Sequence, residues 1–332
     1  MIFDPPVLAL LLAATLAALV AVPAALFAVR VLRHWDIRSG SETQIAMERQ
    51  TYLVTTALKL VLVLQMAALA LFVHNADRMA VLFTGAMCAL GTLNVNEYGM
   101  PAFLLQVAVF FAAALWLIVN HADEQGRDYP YTRLKYALLL AFAPLVLAAA
   151  VVEWLYFLNL DPNVITSCCS KLFTPEATGA AADLSALPPG VALATLFGGL
   201  VLLVMLGLAG RHWRLARLAF GALAVLWFGL AIADIISAIA PYIYETPNHH
   251  CPFCILKPQF GFIGYALYVP LFLATALAAG AGLLAALPQP ASLSARLPQM
   301  LKRLETGALV LYALFGLVAL YAIWRSHLIL LG

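Results

Sequence analysis

Charge is what this sequence has least of. Only 18 of its 332 residues are Lys or Arg and 16 are Asp or Glu, 10% together, where a soluble domain carries about 25%. That scarcity excludes a soluble globular protein. With 64% hydrophobic residues and a mean hydropathy of +0.97, the apolar surplus exceeds what one core of this length buries and must face lipid. The formal charge of +2 points to neither nucleic acid nor an acidic substrate. The basic residues sit in short clusters between apolar runs, which is how membrane topology is encoded. Also missing are a phosphate-binding glycine loop, a histidine pair spaced to hold a haem between helices, an internal repeat, a long linker and a low-complexity tract. No Lys or Arg precedes the first apolar run, Val7–Val31, and Asp4 does. A cleavable signal peptide starts basic, so this run reads as an uncleaved first helix with its N-terminus outside.

What is present is a series of apolar runs of membrane-spanning length. After the first, a segment with Arg30, Arg33, Arg38 and Arg49 reads as cytoplasmic, with a short amphipathic helix leading into a second crossing at Thr51–Val73. The apolar stretch Met79–Leu93 is too short for a comfortable crossing. Counting it as one would put the basic loop Arg127–Lys135 outside. It therefore reads as a re-entrant or broken helix, closed by the polar turn Asn94, Asn96, Glu97 and Tyr98, the alternative being a short full crossing that breaks the charge rule. Further crossings follow at residues 102–120, Tyr136–Phe157, Gly190–Gly210, Leu218–Ala240, Gln259–Leu287 and Leu309–Trp324. The expected fold is an all-α polytopic transmembrane helical bundle of about eight crossings plus the broken segment near 79–101, forming one integral membrane domain over 1–332. Both termini and the cysteine-bearing loops 159–189 and 241–258 are expected on the extracytoplasmic side. The Ala- and Leu-rich composition suits a bacterial inner membrane. The expected partners are the lipid bilayer and either an extracytoplasmic thiol protein or the subunits of a membrane complex, with no nucleic acid.

Four of the five cysteines lie in those two loops: Cys168 and Cys169 in one, Cys251 and Cys254 in the other. The fifth, Cys88, reads as a small buried residue of the short apolar segment. An oxidising compartment permits disulfides. A Cys-x-x-Cys that opens a helix has its first thiolate stabilised by the helix N-terminus, and His249, His250 and Lys257 are placed to tune it. Cys251 is then the nucleophile and Cys254 its resolving partner. Two other readings of the same residues stay open. The pairs are structural disulfides that pin loops, or Cys168, Cys169, His249, His250, Cys251 and Cys254 form a soft ligand set for Cu(I), Zn(II) or another thiophilic ion. At membrane depth, Glu153 and Asp234 read as proton-handling carboxyls or as interhelical contacts. Lys59, nearer the inner face, reads as a snorkelling side chain or as the partner of a carboxylate.

The C-P-F-C at the mouth of a helix and the second cysteine pair in another loop resemble membrane thiol–disulfide oxidoreductases of the DsbB and vitamin K epoxide reductase type. That resemblance implies that Cys251 and Cys254 pass electrons to a bound quinone. It also implies that Cys168 and Cys169 exchange with a partner protein. Those enzymes are four-helix bundles with spaced shuttle cysteines, whereas this chain has about twice the crossings and an adjacent pair.

Overall fold

The computed structural model describes residues 2–166 and 187–330. Among these residues there is no strand, and eight helices are long and apolar enough to cross a membrane. The protein is an integral membrane helical bundle. In chain order the helices are α1 (Pro5–His34), α2 (Glu42–Met79), the short α3 (Ala89–Leu93), α4 (Gly99–Gln125), α5 (Thr132–Leu158), α6 (Pro189–Gly210), α7 (Arg214–Asp234), the short α8 (Ala240–Tyr244), α9 (Ile263–Ala286) and α10 (Leu297–Arg325). A π-turn, Ile235–Ile239, joins α7 to α8, so these three pieces make one interrupted span.

Local chemistry explains the boundaries. Pro5 and Pro6 open α1, where a missing amide proton costs nothing, and Arg33 and His34 sit on its last turn, where the exposed carbonyls favour positive charge. The amphipathic segment expected to form its own helix is instead continuous with the second span. Between Glu42 and Met79 there is neither Gly nor Pro to stop it, and the Ser41 hydroxyl accepts the Gln44 amide at 3.3 Å as a cap. Beyond Met79 the chain makes one 3₁₀ turn, Ala80–Leu82, and the five-residue α3. The stretch 79–98 is thus a broken segment and adds no further span. Gly85 takes φ +89°, and a Cβ there would lie 2.2 Å from the Thr166 carbonyl oxygen, so only glycine fits.

The chain divides into two compact units. Unit 1 comprises Met1–Ala76, Leu93–Val164 and Gln289–Pro298. In it α5 packs against both α1 and α4. The buried face of α1 is a ladder of Ala14, Ala17, Ala21, Ala24 and Ala28, small residues that let helices approach closely where lipid offers no hydrophobic drive. Its core joins Phe27, Val31 and Trp35 to Leu58, Leu62, Val109, Trp116, Tyr136 and Val146. Near one edge, buried Lys135 pairs with Asp123 at 2.7 Å and donates to Asn120 at 3.0 Å. The Thr132 hydroxyl and the Tyr131 amide complete the Asp123 carboxylate at 2.9 and 2.7 Å. A buried pair is tolerated only with its remaining donors and acceptors met in this way. Lys59, partly exposed, pairs with Glu124 at 2.9 Å, the carboxylate partner that was one of its two expected readings.

Unit 2 comprises Asp77–Thr92, Ile165–Pro288 and Gln299–Gly332. Here α7 packs on α6 and α9. The α7–α9 crossing is closest at Gly221 and Gly282, where a Cβ on either would meet the other's Cα at 2.7–2.8 Å. Arg214 donates to the carbonyls of Ala285 and Ala286 at 2.8 and 3.3 Å and so caps the last turn of α9. Leu12, Leu19, Leu26, Leu60, Leu226 and Leu317 are exposed and form part of the lipid-facing surface.

Candidate metal centre

Three cysteines meet inside unit 2. The Sγ atoms of Cys88, Cys251 and Cys254 all lie within 4.8 Å of one another, with Cys88 and Cys251 at 3.5 Å, and all three residues are buried. They arrive on two segments. Cys88 immediately precedes α3, its carbonyl accepting the Thr92 amide at 3.3 Å. Asp77, near the end of α2, accepts the Ala89 amide at 3.2 Å and orients this short helix. Cys251 and Cys254 bracket the Pro252–Phe253 turn between α8 and α9. The Tyr244 hydroxyl donates to the Cys251 carbonyl at 2.5 Å, and the Tyr268 hydroxyl donates to the Pro252 carbonyl at 2.8 Å. The two segments are stapled together by Lys257, whose ammonium donates to the carbonyl of Met87, next to Cys88, and lies 3.9 Å from Asp77.

The Cys-x-x-Cys does not open a spanning helix as expected. Cys254 begins a 3₁₀ turn, Cys254–Leu256, and a second one follows at Pro258–Phe260. Pro258 holds the preceding Lys257 extended at ψ 155°, and Gly261 and Phe262 both take left-handed backbone, so α9 starts only at Ile263. The site owes its shape to tyrosine and lysine contacts with the backbone rather than to a helix terminus.

The expected disulfide and its quinone partner are corrected by this geometry. Cys88, Cys251 and Cys254 are not joined in a disulfide. Even the 3.5 Å pair is far beyond a sulfur–sulfur bond of about 2.05 Å. The physical reason is that the tyrosine-held turn carries Cys251 into the company of Cys88, a residue of the distant broken segment. A relay handing electrons from a Cys251–Cys254 disulfide to a quinone has no disulfide to work from, and nothing else in the site points to a quinone. Cys168 and Cys169 lie outside the described residues.

The remaining expected site residues are distributed as follows. His249 stacks on Tyr244, ring centroids 3.9 Å apart and planes 17° apart. His250 Nδ1 lies 3.0 Å from the carbonyl oxygen of Ile236 in the π-turn. A carbonyl only accepts, so Nδ1 carries the hydrogen and donates. Asp234, just before that turn, is buried and accepts the Thr195 hydroxyl at 2.9 Å. Glu153 belongs to unit 1, where it meets Gln106. The polar turn after Leu93 also belongs to unit 1. There Asn96 donates to the carbonyls of Tyr156 and Asn159 at 3.1 Å each, and the Glu97 carboxylate, hydrogen-bonded to Tyr98, raises that phenol above its ordinary pKa.

The sulfur spacing fits a metal ion. Thiolate–metal bonds of about 2.3 Å place sulfurs about 3.8–4.0 Å apart in tetrahedral or trigonal geometry. The Cys88–Cys251 separation of 3.5 Å, with every pair within 4.8 Å, is compatible with that spacing. Sulfur alone in a buried setting selects soft ions over Mg or Ca. No protein-family model, curated protein or solved structure matches this chain. The fold and site define a polytopic membrane helical bundle with a buried three-cysteine cluster, placed to coordinate a metal or to serve as a redox-like centre.

Proposed function

We propose that this membrane protein handles a soft metal ion of the Cu(I) or Zn(II) class, captured by Cys88, Cys251 and Cys254. The observation that carries the reading is the convergence of three buried sulfurs within 4.8 Å from segments 163 residues apart in sequence. Burial strips water and hard oxygen ligands from the site, and thiolate sulfur favours thiophilic ions. Each thiol gives up its proton on binding, so affinity falls as the solution becomes acidic. The alternation of basic and non-basic loops along the sequence supports assigning the Cys88 and Cys251 segments to the face away from the basic loops. By the positive-inside rule that face is extracytoplasmic, and the protein meets its ion there, in a bacterial inner membrane. His249, His250 and Lys257 border the site and shape its surroundings, and a further thiol protein or membrane subunit would receive the ion.

The test is metal analysis of full-length protein purified anaerobically in mild detergent without chelator, followed by titration with Cu(I) and Zn(II). About one ion per chain is expected, with thiolate-to-metal absorption, and Cys88→Ser, Cys251→Ser and Cys254→Ser should each lower affinity at least tenfold. Wild-type protein that takes up no stoichiometric ion, or affinity untouched by Cys88→Ser, would overturn the reading.

A further inference from the structure

Unit 1 holds a polar layer between two apolar ones. On one side lie Leu58 and Leu62 of α2, Val109 and Ala113 of α4, and Val146 and Ala149 of α5. On the other, Phe72 packs on Tyr156 and Phe157 with ring centroids 5.8 and 6.0 Å apart. Gln65 on α2 and Glu153 on α5 fall between them in sequence, and Gln106 on α4 lies about one turn before Val109; none is more than 1% exposed. The Gln106 Nε2 donates to Glu153 Oε2 at 2.5 Å. Four atoms of this layer lack a hydrogen-bond partner: Glu153 Oε1, Gln106 Oε1, and both the oxygen and the nitrogen of the Gln65 amide.

Those orphans constrain the chemistry. An ionised Glu153 has only acceptors, so it could never satisfy the acceptor Gln106 Oε1. Nor do the described residues of the surrounding helices supply a cation to balance it. In the surrounding helices α1 carries no titratable group between Asp4 and Arg30, α2 none between Lys59 and His74, and α4 none between Tyr98 and His121. On α5 itself the neighbours are Tyr136, two-thirds of the helix away, and Tyr156. Lys59 is already engaged by Glu124. A charge left unbalanced at membrane depth is expensive.

We propose that Glu153 and Gln106 form a proton-binding site within unit 1. The ligand is a proton from water, carried on Glu153 Oε1 and donated to Gln106 Oε1. With the observed N–H donation in the opposite sense, this closes a two-bond acid–amide ring. One proton then satisfies both orphan oxygens and removes the buried charge. On release, the O–H bond breaks and the proton passes to a water. The Gln65 amide offers that water a donor and an acceptor in the same layer. The site is independent of the cysteine cluster and stands or falls apart from it.

Infrared spectroscopy of the full chain in lipid nanodiscs tests this. Expected is one carboxylic-acid C=O band per chain that shifts in D2O, disappears in Glu153→Gln, moves to a weakly bonded frequency in Gln106→Leu, and converts to carboxylate absorption on alkaline titration. Labelling the wild type with ¹³C-glutamate moves the same band without any substitution, so the result does not depend on a variant folding. A labelled wild type with no carboxylic-acid band, a band that survives in Glu153→Gln, or one indifferent to alkali would overturn the proposal.

Discussion

At the scale of single residues, the cluster shows how little of a metal site its ligands supply alone. Lys257 touches no sulfur, yet it ties the Met87 carbonyl beside Cys88 to the loop that carries Cys254. Outer partners of this kind typically change metal affinity by about 10–100-fold. Lys257→Met is therefore expected to weaken metal binding about tenfold while leaving the stoichiometry and the thiolate absorption unchanged, as read by competition with a chromophoric chelator. Unchanged affinity would show that the staple is dispensable. Cys251 and Cys254 were legible in the sequence because their spacing is a local signal. Cys88 was not. It sits in an apolar run where a thiol passes as a small hydrophobe, and no local pattern reports a neighbour 163 residues away. The one available hint was that its segment is too short to span and ends in a polar turn.

At the scale of elements, the spans were legible because an uncharged run of about 20 residues has few alternatives. Their ends were less so. The Glu42–Arg49 stretch looks amphipathic in isolation, but helix propagation from the adjoining span absorbs it when no Gly or Pro intervenes. The start of α9 was misplaced for the opposite reason, because Pro258 and the left-handed pair Gly261–Phe262 delay it. The π-turn at Ile235–Ile239 left no mark in composition at all. Such turns carry one residue more than an α-helix and gather at functional sites. Here the turn presents the Ile236 carbonyl to His250 and precedes α8, whose Tyr244 holds the Cys251 carbonyl. Deleting Ser237 should restore α-helical pairing, so that the Ile236 carbonyl is taken up within the helix and no longer accepts from His250 beside the cysteine loop. Expected are normal membrane expression and helix content with a loss of metal affinity of at least tenfold. Retained affinity would separate the turn from the site.

At the scale of the whole molecule, an ion bound only by the folded chain adds to its stability by mass action. With free ion at 100 times its dissociation constant the gain is about 2.7 kcal/mol. Thermal unfolding in detergent, followed by a dye or by tryptophan emission, should shift upward with added Cu(I) or Zn(II) in the wild type and not in Cys88→Ser. Equal shifts in both would place the ion elsewhere. The sequence could not show that the chain is interleaved. Unit 2 takes the short piece Asp77–Thr92 from within the first half of the chain and adds it to elements made much later.

That interleaving has a consequence for biogenesis. Cys88 leaves the ribosome 163 residues ahead of Cys251. At about 5–20 residues per second this leaves it about 8–30 s without its companions. Until Cys168 follows it, its sulfur is the solitary thiol of a half-made protein, open to capture by small oxidants. A pulse of membrane-permeant alkylating agent during translation should therefore modify Cys88 heavily, whereas the same pulse after release should find it shielded.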